Sequence, residues 1–474
     1  MYDIAIIGSG ITGCFIARQL SRYRLDIVLV EKNSDVADET TKANSGIVHS
    51  GYDAYPGTLK AALNRLGNEK FESVCCELDV AFKRTGSLTI ATNEDELPVL
   101  KKLYERGLKN GIQQLSLIDR DETRRLEPNI NQQVCGALLS HTAGIVDPFG
   151  LAIALAENAV DNGVQLKLET EVVAIRHKDG FYELISNNGV FAARYVINCA
   201  GVHSDRINEM LCPADFKIHP KKGEYIVFDK QCGSYVNHVI FQCPSERGKG
   251  VLITPTAHGN LIIGPNSESV NDREDVSTTS SGLEEILAAA SKSIERIPLN
   301  MAITNFAGLR ASSDRHDFII EEHKSHKGFI NVAGIESPGL TASPAIADYV
   351  LNILKQSGLN LIEKDDFNPQ RRPMVNFIAL SENQKKTMID KDERFGRVIC
   401  RCESITEGEI VDAIHRNAGA RSVDGVKRRV RAGMGRCQGG FCSPRVMEIL
   451  ARELKTKQTE ILKDGKGSYI IQNM

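Results

Sequence analysis

Long hydrophobic runs, a charge excess of either sign and tryptophan are all missing from this 474-residue chain. Apolar runs such as Ile4–Ile7 and Ile27–Val30 fall short of the roughly 18–20 residues that span a bilayer, so we expect no direct membrane span. The 58 basic and 61 acidic residues nearly balance, which argues against nucleic-acid binding. The length predicts two or three domains.

The chain also lacks the dense cysteine framework of small secreted proteins. Its twelve cysteines are scattered, except for four near the C-terminus. This usage fits reduced thiols in the cytoplasm, with the terminal group as the exception. We therefore expect a cytoplasmic protein, whose attachment to a membrane, if any, runs through a partner.

The first thirty residues carry a nucleotide-binding pattern. A buried strand, Asp3–Ile7, leads into the spacing G-x-G-x-x-G at Gly8, Gly10 and Gly13, and a second apolar strand ends at Glu31. The first glycine permits a tight turn, the second lets the backbone approach a pyrophosphate, and the third lets the helix pack on the sheet. An acid at the end of the second strand accepts hydrogen bonds from a ribose without a 2′-phosphate. The pattern predicts FAD or NAD binding and disfavours NADP.

Later segments resemble the FAD-dependent oxidoreductases related to D-amino-acid oxidase. The matching segments, in chain order, are Thr40–Leu63, Tyr195–Asp205, Leu252–Glu268, Phe306–Ile320 and Gly328–Ala347. Together with the glycine turn they extend over roughly residues 1–355. Within this family the chain is similar to anaerobic glycerol-3-phosphate dehydrogenases, and the asparagine-serine-glycine-histidine segment is equally similar to L-2-hydroxyglutarate dehydrogenases.

The resemblance implies an α/β fold, in which a Rossmann-like FAD-binding domain carries an antiparallel-sheet substrate domain. A small α-helical iron–sulfur domain follows. The expected divisions are FAD-binding segments at about 1–75, 140–205 and 326–365, a substrate domain at about 76–139 and 206–325, a linker at 366–397, a [2Fe–2S] domain at 398–460 and a tail at 461–474.

The glycine pattern and the resemblance together nominate a set of FAD-binding residues. They are Gly8, Gly10, Ile11, Thr12, Gly13, Glu31, Lys32, Asn44, Ser45, Gly46, Val173, Ala200, Gly201, Gly334, Gly339, Leu340 and Thr341. The last of them follow the strand Phe329–Ala333, and we expect a helix to begin at Thr341 or later. Its N-terminus would point N–H dipoles at the pyrimidine end of the flavin.

The resemblance places Arg310, His49 and His258 at the catalytic site. Arginine binds carboxylate or phosphate in bidentate fashion, so Arg310 is the expected anion-binding group. Either of the two histidines could be the base that takes the hydroxyl proton. His49 could instead hydrogen-bond to the flavin or carry it covalently. Glu224 and Tyr225 are candidate wall residues. Further candidate cations, which could equally be solvated surface charges, are Lys221, Lys222 and Arg315.

The C-terminal region carries a second pattern. Cys400 and Cys402 form C-x-C, and Cys437 and Cys442 form C-x₄-C. Four thiolates suit an iron–sulfur cluster or zinc, although zinc usually takes C-x₂₋₄-C pairs. The arrangement resembles the bacterioferritin-associated-ferredoxin-like [2Fe–2S] domain that ends some flavin dehydrogenases.

The segments around these cysteines predict three short helices. Thr406 and Glu409 form a capping box for the first, the second is expected from about Ser422 to Ala432, and Ser443 with Pro444 begins the third. The basic segment Val426–Arg436 is interpreted as a solvated helix face. The alternatives are that this segment neutralises the charge of the thiolates or that it docks an acidic partner.

These observations favour an FAD-dependent dehydrogenase that oxidises sn-glycerol 3-phosphate to dihydroxyacetone phosphate. Electrons would leave through the [2Fe–2S] cluster to an electron-accepting protein subunit, such as a flavoprotein reductase or a membrane-anchored protein, in a hetero-oligomer. Two alternatives stay open: an L-2-hydroxyglutarate or other 2-hydroxyacid dehydrogenase, and a non-catalytic electron-transfer subunit.

Overall fold

The computed structural model describes residues 1–213, 215–244 and 250–471. Its strands are β1 (Tyr2–Ile7), β2 (Ile27–Val30), β3 (Ile47–Val48), β4 (Phe82–Lys83), β5 (Ser87–Ala91), β6 (Leu115–Asp119), β7 (Gly136–Ser140), β8 (Gly144–Val146), β9 (Gln165–Lys167), β10 (Val172–Lys178), β11 (Phe181–Ser186), β12 (Gly189–Asn198), β13 (Ile218–Phe228), β14 (Val239–Gln242), β15 (Leu252–Pro255), β16 (Leu261–Gly264), β17 (Glu268–Ser269), β18 (Ala302–Ser313), β19 (Ile319–Glu322), β20 (Phe329–Ala333), β21 (Val398–Cys400) and β22 (Ile405–Thr406).

The helices alternate with these strands in the first two hundred residues and dominate the last hundred. They are α1 (Ile11–Leu20), α2 (Leu59–Glu77), α3 (Leu97–Lys109), α4 (Arg120–Leu126), α5 (Pro148–Asp161), α6 (Ser204–Glu209), α7 (Ser280–Ala290), α8 (Gly339–Gln356), α9 (Glu382–Lys391), α10 (Glu407–Ile414), α11 (Val423–Val430) and α12 (Ser443–Leu454). None of the helices in the described ranges is both long and apolar enough to cross a bilayer.

The first sheet has a parallel centre, as the apolar strands at the start of the chain predict. β1 pairs in parallel with β2 on one side and with β12 on the other, and β12 pairs in parallel with β20. Helices α1, α5 and α8 supply apolar side chains to the core on this sheet. Because the strands run in one direction, the turns after β1, β12 and β20 meet at the same edge. This edge positions the candidate site.

The second sheet forms the predicted substrate domain. Its strand order is β17-β13-β16-β15-β14-β5-β7-β6, and β18 pairs along the length of β13. It is antiparallel as expected, apart from the parallel pair of β5 and β14. The mixed α/β architecture is therefore confirmed, while the domain boundaries stay predictions.

The C-terminal region folds into a small helical unit around its own core. The capping box of α10 is present, since Thr406 and Glu409 exchange side-chain and backbone hydrogen bonds. Helix α11 begins after the Ser422 cap and ends at Val430, before the predicted Ala432, because Arg431 takes a left-handed conformation with φ 66°. The predicted linker contains the helix α9.

The basic segment is not the solvated helix face that the sequence suggested. The Arg428 and Arg429 side chains are 5% and 0% exposed, and both pair with Asp35 of the FAD-binding domain, at 3.0 and 2.7 Å. Arg428 also pairs with Asp464 at 2.8 Å. Burial raises the pKa of Asp35, but the two guanidinium groups outweigh burial and lower it overall. The segment thus joins the C-terminal unit to the rest of the chain.

Candidate functional site

A cavity of about 1660 Å³ opens at the edge where the parallel strands end, and it continues under the second sheet. The predicted FAD-binding residues on its wall are Gly8, Gly10, Ile11, Thr12, Glu31, Lys32, Asn44, Ser45, Ala200, Gly201, Gly339 and Leu340. They come from five separate segments of the chain, which the tertiary fold brings together.

Each glycine of the first turn has a separate role. Gly8 has φ 101°, and a Cβ there would lie 2.5 Å from the Cys199 carbonyl oxygen, so only glycine fits. A Cβ on Gly13 would lie 2.0 Å from the Gly8 carbonyl oxygen, so this residue allows the close packing of α1 and does not line the cavity. Gly10 precedes α1 and has no side chain with which to cap it, and the Ile11 N–H is taken by the Thr41 hydroxyl. The other first-turn N–H groups are available to a phosphate.

Glu31 directly follows β2 and lies on the cavity wall. The N–H and hydroxyl of Ser9 both donate to its Oε2 at 2.9 Å, and the Asn33 N–H donates to its Oε1 at 3.0 Å. Burial raises the pKa of Glu31 and these hydrogen bonds oppose the rise. The carboxylate is held rigidly beside the turn, in the position that a ribose-binding acid requires.

A polar turn after β2 covers the start of α1. The Ile11 N–H donates to the Thr41 hydroxyl at 2.9 Å, and Asn44 Oδ1 accepts from the Gly46 N–H at 2.8 Å. Asn44 and Ser45 face the cavity, whereas Gly46 packs behind it, because a Cβ there would lie 2.5 Å from the Val146 carbonyl oxygen. Gly46 therefore shapes the turn without lining the cavity.

The last FAD-binding loop differs from the prediction in where its helix begins. α8 begins at Gly339, two residues before Thr341. Thr341 is fully buried, and its hydroxyl accepts from the His49 N–H at 2.8 Å, so it ties α8 to β3 instead of lining the cavity. Gly334 also lies off the wall, in a turn with φ 66° against Ser313.

Val173 lies outside the cavity and is 52% exposed. Its neighbour Val172 is buried and lines the cavity. The register of β10 shifts between Val172 and Ala174, and Val173 lies at this irregular step with its side chain directed away from the cavity.

The substrate side of the cavity is lined by alternate residues of β13. Lys221 lies opposite Arg310 of β18 in the antiparallel pair, and both face the cavity. Arg310 donates to the Asn266 carbonyl at 3.0 Å and, among the described residues, has no carboxylate within 4.0 Å. Two neighbouring cations with at least one unpaired charge form a site for an anion.

The same alternation turns Lys222 and Glu224 away from the cavity. The Lys222 side chain is 3% exposed and pairs with Asp275 at 2.8 Å, so it is neither a substrate ligand nor a solvated charge. Glu224 accepts from the N–H and hydroxyl of Thr279, at 2.9 and 3.0 Å, where α7 begins. Of the two predicted wall residues only Tyr225 lines the cavity, and burial raises its pKa, which keeps its hydroxyl protonated.

The two candidate bases are placed differently. His49 lines the cavity, stacks on Phe241 with ring centroids 5.7 Å apart, and has its Nε2 3.4 Å from the Ser337 hydroxyl. His258 is not on the cavity wall, because its Nε2 bonds to Asp147 at 3.1 Å, beside the N-terminus of α5. The structure therefore does not support His258 as a base. Arg315 is exposed and pairs with Asp215 and Glu321, as a surface charge does.

The four C-terminal cysteines come together at the edge of the helical unit. Cys402 Sγ lies 3.6 Å from Cys437 Sγ. The second pair, Cys400 and Cys442, also share a hydrogen bond, which lowers the pKa of Cys400 to about 6 and raises that of Cys442. Backbone N–H groups of Gly433 and Glu403 lower the pKa of Cys400 further. Two close thiol pairs with backbone donors suit two irons that each take two cysteines.

Comparison with protein families decides between the candidate cofactors. Residues 3–353 match the family model "FAD dependent oxidoreductase". The chain belongs to this family. Residues 398–452 match the model "BFD-like [2Fe-2S] binding domain". The glycine cradle and Glu31 fit FAD, and the cysteine pairs fit the cluster, so this FAD-dependent oxidoreductase carries sites for both cofactors.

Individual relatives place the chain within the family. It is 56% identical over 471 residues to a "Glycerol 3-phosphate dehydrogenase" of Caloramator mitchellensis, covering 99% of this chain and 98% of that protein. It is 30% identical over 417 residues to the human "L-2-hydroxyglutarate dehydrogenase, mitochondrial", and the match covers 75% of this chain and 89% of that protein.

A solved structure agrees with the fold. The L-alpha-glycerophosphate oxidase of Mycoplasma pneumoniae, reduced with dithionite and with FAD bound, superposes with a TM-score of 0.75 at 31% identity. The match covers 79% of this oxidoreductase and 99% of the oxidase chain. About a fifth of this chain therefore has no counterpart in the oxidase.

Sequence reasoning missed a polar group on the cavity wall of this oxidoreductase. Lys60 Nζ bonds to Glu336 at 2.7 Å, and the other oxygen of Glu336 accepts from the Ser312 hydroxyl at 2.7 Å. Burial raises the pKa of Glu336, but Lys60 and Ser312 outweigh burial and lower it. The three residues lie far apart in sequence and belong to no local motif, so no pattern pointed to them.

Proposed function

We propose that this oxidoreductase converts sn-glycerol 3-phosphate to dihydroxyacetone phosphate. The observation that carries the proposal is the 56% identity to a glycerol 3-phosphate dehydrogenase along 99% of the chain. The paired cations Lys221 and Arg310 on the cavity wall support it, because the substrate carries a phosphate dianion.

Arg310 binds the phosphate and Lys221 adds a second charge beside it. Two fixed cations orient the substrate so that its secondary alcohol lies toward the flavin end of the cavity. The glycine turn and Glu31 would hold FAD, which would supply the acceptor for the hydride at C2 of this alcohol. His49 Nε2 takes the hydroxyl proton, since His49 is the predicted histidine base that faces the cavity. Tyr225, whose hydroxyl stays protonated, donates a hydrogen bond to the substrate.

An L-2-hydroxyglutarate dehydrogenase is the second candidate. The human relative of that name is 30% identical over 417 residues. A dicarboxylate requires a second cationic position at a distance from Arg310. Lys292 and Arg106 also line the cavity and could supply it.

Anaerobic reduction of the flavin separates these candidates. The purified protein is mixed without oxygen with sn-glycerol 3-phosphate, L-2-hydroxyglutarate or glycerol, and the flavin absorbance near 450 nm is followed. We expect rapid bleaching by sn-glycerol 3-phosphate alone. Bleaching only by L-2-hydroxyglutarate would establish the second candidate, and a flavin that no substrate bleaches would indicate a non-catalytic electron-transfer subunit.

The four C-terminal cysteines would hold a [2Fe–2S] cluster, which would supply a path for electrons to a protein partner. Cys402 is exposed, and Phe441, between the last two cysteines, is 87% exposed. Arg401 and Arg436 lie exposed on the same loops, and within the described residues neither has a carboxylate within 4.0 Å. A cationic surface with an apolar centre favours an acidic electron-accepting subunit.

This partner would be a flavoprotein reductase or a membrane-anchored protein, and the assembly a hetero-oligomer. The protein would then be cytoplasmic and peripheral to the membrane. Replacing Phe441 by Ser and Arg436 by Glu should slow partner reduction at least tenfold and leave flavin bleaching unchanged. Arg445→Glu is a useful control, because Arg445 already pairs with Glu448 at 2.9 Å.

A further inference from the structure

Cys212, His323 and His326 form a cluster on the side of the first sheet where β19 and β20 pair. Their ligand atoms all lie within 4.8 Å of one another. Cys212 follows α6, and the two histidines lie in the turn between β19 and β20. Two segments more than 100 residues apart therefore supply one thiol and two imidazoles, the side chains that zinc prefers.

The distances within the cluster approach those of a metal site. His323 Nδ1 lies 3.2 Å from His326 Nδ1, and the Cys212 Sγ lies 3.0 Å from the other nitrogen of His323, Nε2. Ligand atoms on one tetrahedral zinc lie roughly 3.3–3.6 Å apart, given bonds of about 2.0–2.3 Å. The two distances end on different nitrogens of His323, so the Cys212 thiol or the His323 ring would have to turn for the three groups to bind one ion.

The surroundings shield the cluster partly from solvent, since all three residues are half-buried. His177 packs edge-on against His326 with ring centroids 5.9 Å apart. Metal binding requires imidazole without its extra proton and cysteine as thiolate.

The cluster joins two segments that reach the cavity. Met210 on the α6 side lines the cavity, and β20 leads into the last FAD-binding loop. A buried amide chain already links them, since Asn331 donates to Asn208 at 2.7 Å and Asn198 donates to Asn331 at 2.9 Å. A metal ion on the outer side would fasten the same two segments a second time.

We propose that Cys212, His323 and His326 bind one divalent zinc ion, with water in the fourth position. The site is separate from the [2Fe–2S] cysteines and takes no part in the oxidation of substrate. It holds α6 against the β19–β20 turn and so stabilises the folded chain.

The test uses the full chain loaded with FAD and the cluster, after removal of loosely bound metal. The protein is dialysed against Zn²⁺ at increasing free concentration, and zinc and iron per chain are measured by elemental analysis. The variants are Cys212→Ser and His326→Gln. The matched controls are Cys76→Ser and His141→Gln, whose side chains are exposed and lie outside the cluster.

We expect one zinc per chain in the wild type and in both controls, with unchanged iron. Each cluster variant should bind zinc at least about tenfold more weakly, the loss that even a change outside the ligand shell brings. Zinc should also raise the melting temperature of the wild type but not of the variants. A wild type that binds no zinc, or cluster variants that bind it as tightly as the controls, would overturn the proposal.

Discussion

The flavin cavity and the cysteine site are assembled in different ways. The cavity takes its wall from turns after β1 and β12, from the start of α8 and from the paired strands β13 and β18. The cysteine site takes all four ligands from the segment Cys400–Cys442. The cavity therefore depends on the whole tertiary fold. The cluster depends on one small helical unit, which ion pairs attach to the FAD-binding domain.

Removing one cysteine ligand of the cluster should produce the largest loss of activity, and this loss should be confined to the cysteine site. Cys402→Ser leaves one iron with a single cysteine ligand, so we expect loss of the cluster iron and of at least about 99% of partner reduction. Flavin content and anaerobic bleaching by substrate should persist, because the cavity does not use this unit. Iron analysis and stopped-flow absorbance check both, with Cys76→Ser as the control. A parallel loss of flavin would show that the two regions are not separable.

The attachment of the two regions should be the next most sensitive point. Asp35→Asn leaves Arg428 and Arg429 buried with one fewer counter-charge, and breaking a buried pair costs about 3–5 kcal/mol of unfolding free energy. Denaturant unfolding measures the loss. Asp365→Asn is the control, since Asp365 pairs with Arg24 on the surface and both side chains are more than half exposed. The control should change stability by less than about 0.5 kcal/mol. Equal effects would contradict the buried role of Asp35.

The same pair predicts how stability depends on pH. The pKa of Asp35 is lowered in the folded chain. Its contribution is therefore fully present above the unfolded pKa of about 3.9 and is lost as the pH falls through the lower, folded value. Between pH 5 and 8 the difference in unfolding free energy between wild type and Asp35→Asn should stay constant. A difference that disappears toward pH 8 would be inconsistent with this ion pair.

A change at the anion site should affect the cavity and leave the cluster intact. Arg310→Gln removes charge-assisted hydrogen bonds worth about 1.5–3 kcal/mol, so kcat/KM should fall roughly 10- to 150-fold. FAD and iron content should stay at wild-type values. Arg315→Gln serves as the matched control, because Arg315 pairs with Asp215 and Glu321 on the surface. Equal losses in both variants would remove Arg310 from the substrate site.

The smallest effect should distinguish the two faces of β13. Lys221→Gln removes a cation from the cavity and should raise KM about tenfold with little change in melting temperature. Lys222→Gln breaks the pair with Asp275, whose side chain is 31% exposed, and should lower the melting temperature slightly with KM unchanged. Steady-state kinetics and thermal unfolding of both variants test this. The reverse pattern would mean that the strand presents its other face.

The contrast between the two regions also explains which features could be predicted from the sequence. The glycine turn, Glu31, the Thr406 capping box and the four cysteines were predictable because each is a local pattern with a fixed spacing. The directions of the Val173 and Glu224 side chains were not predictable, because a strand pattern does not show which face of the strand borders a cavity.

Other errors arose from partners that are distant in sequence. His258 bonds to Asp147 and lies off the cavity wall, and the basic helix is buried against Asp35. Neither carboxylate belongs to a motif with its partner, so only the tertiary fold reveals these contacts. The same holds for Lys60 and Glu336 on the cavity wall.

Transfer of electrons from substrate to cluster is the central claim, and one measurement tests it directly. The anaerobic holoprotein is mixed with sn-glycerol 3-phosphate and frozen at increasing times, and the electron paramagnetic resonance signal of a reduced [2Fe–2S] cluster is recorded together with the flavin absorbance. We predict that flavin bleaching is followed by the cluster signal, and that Cys402→Ser bleaches without any signal. A cluster that stays oxidised while the flavin is fully reduced by excess substrate would contradict the account.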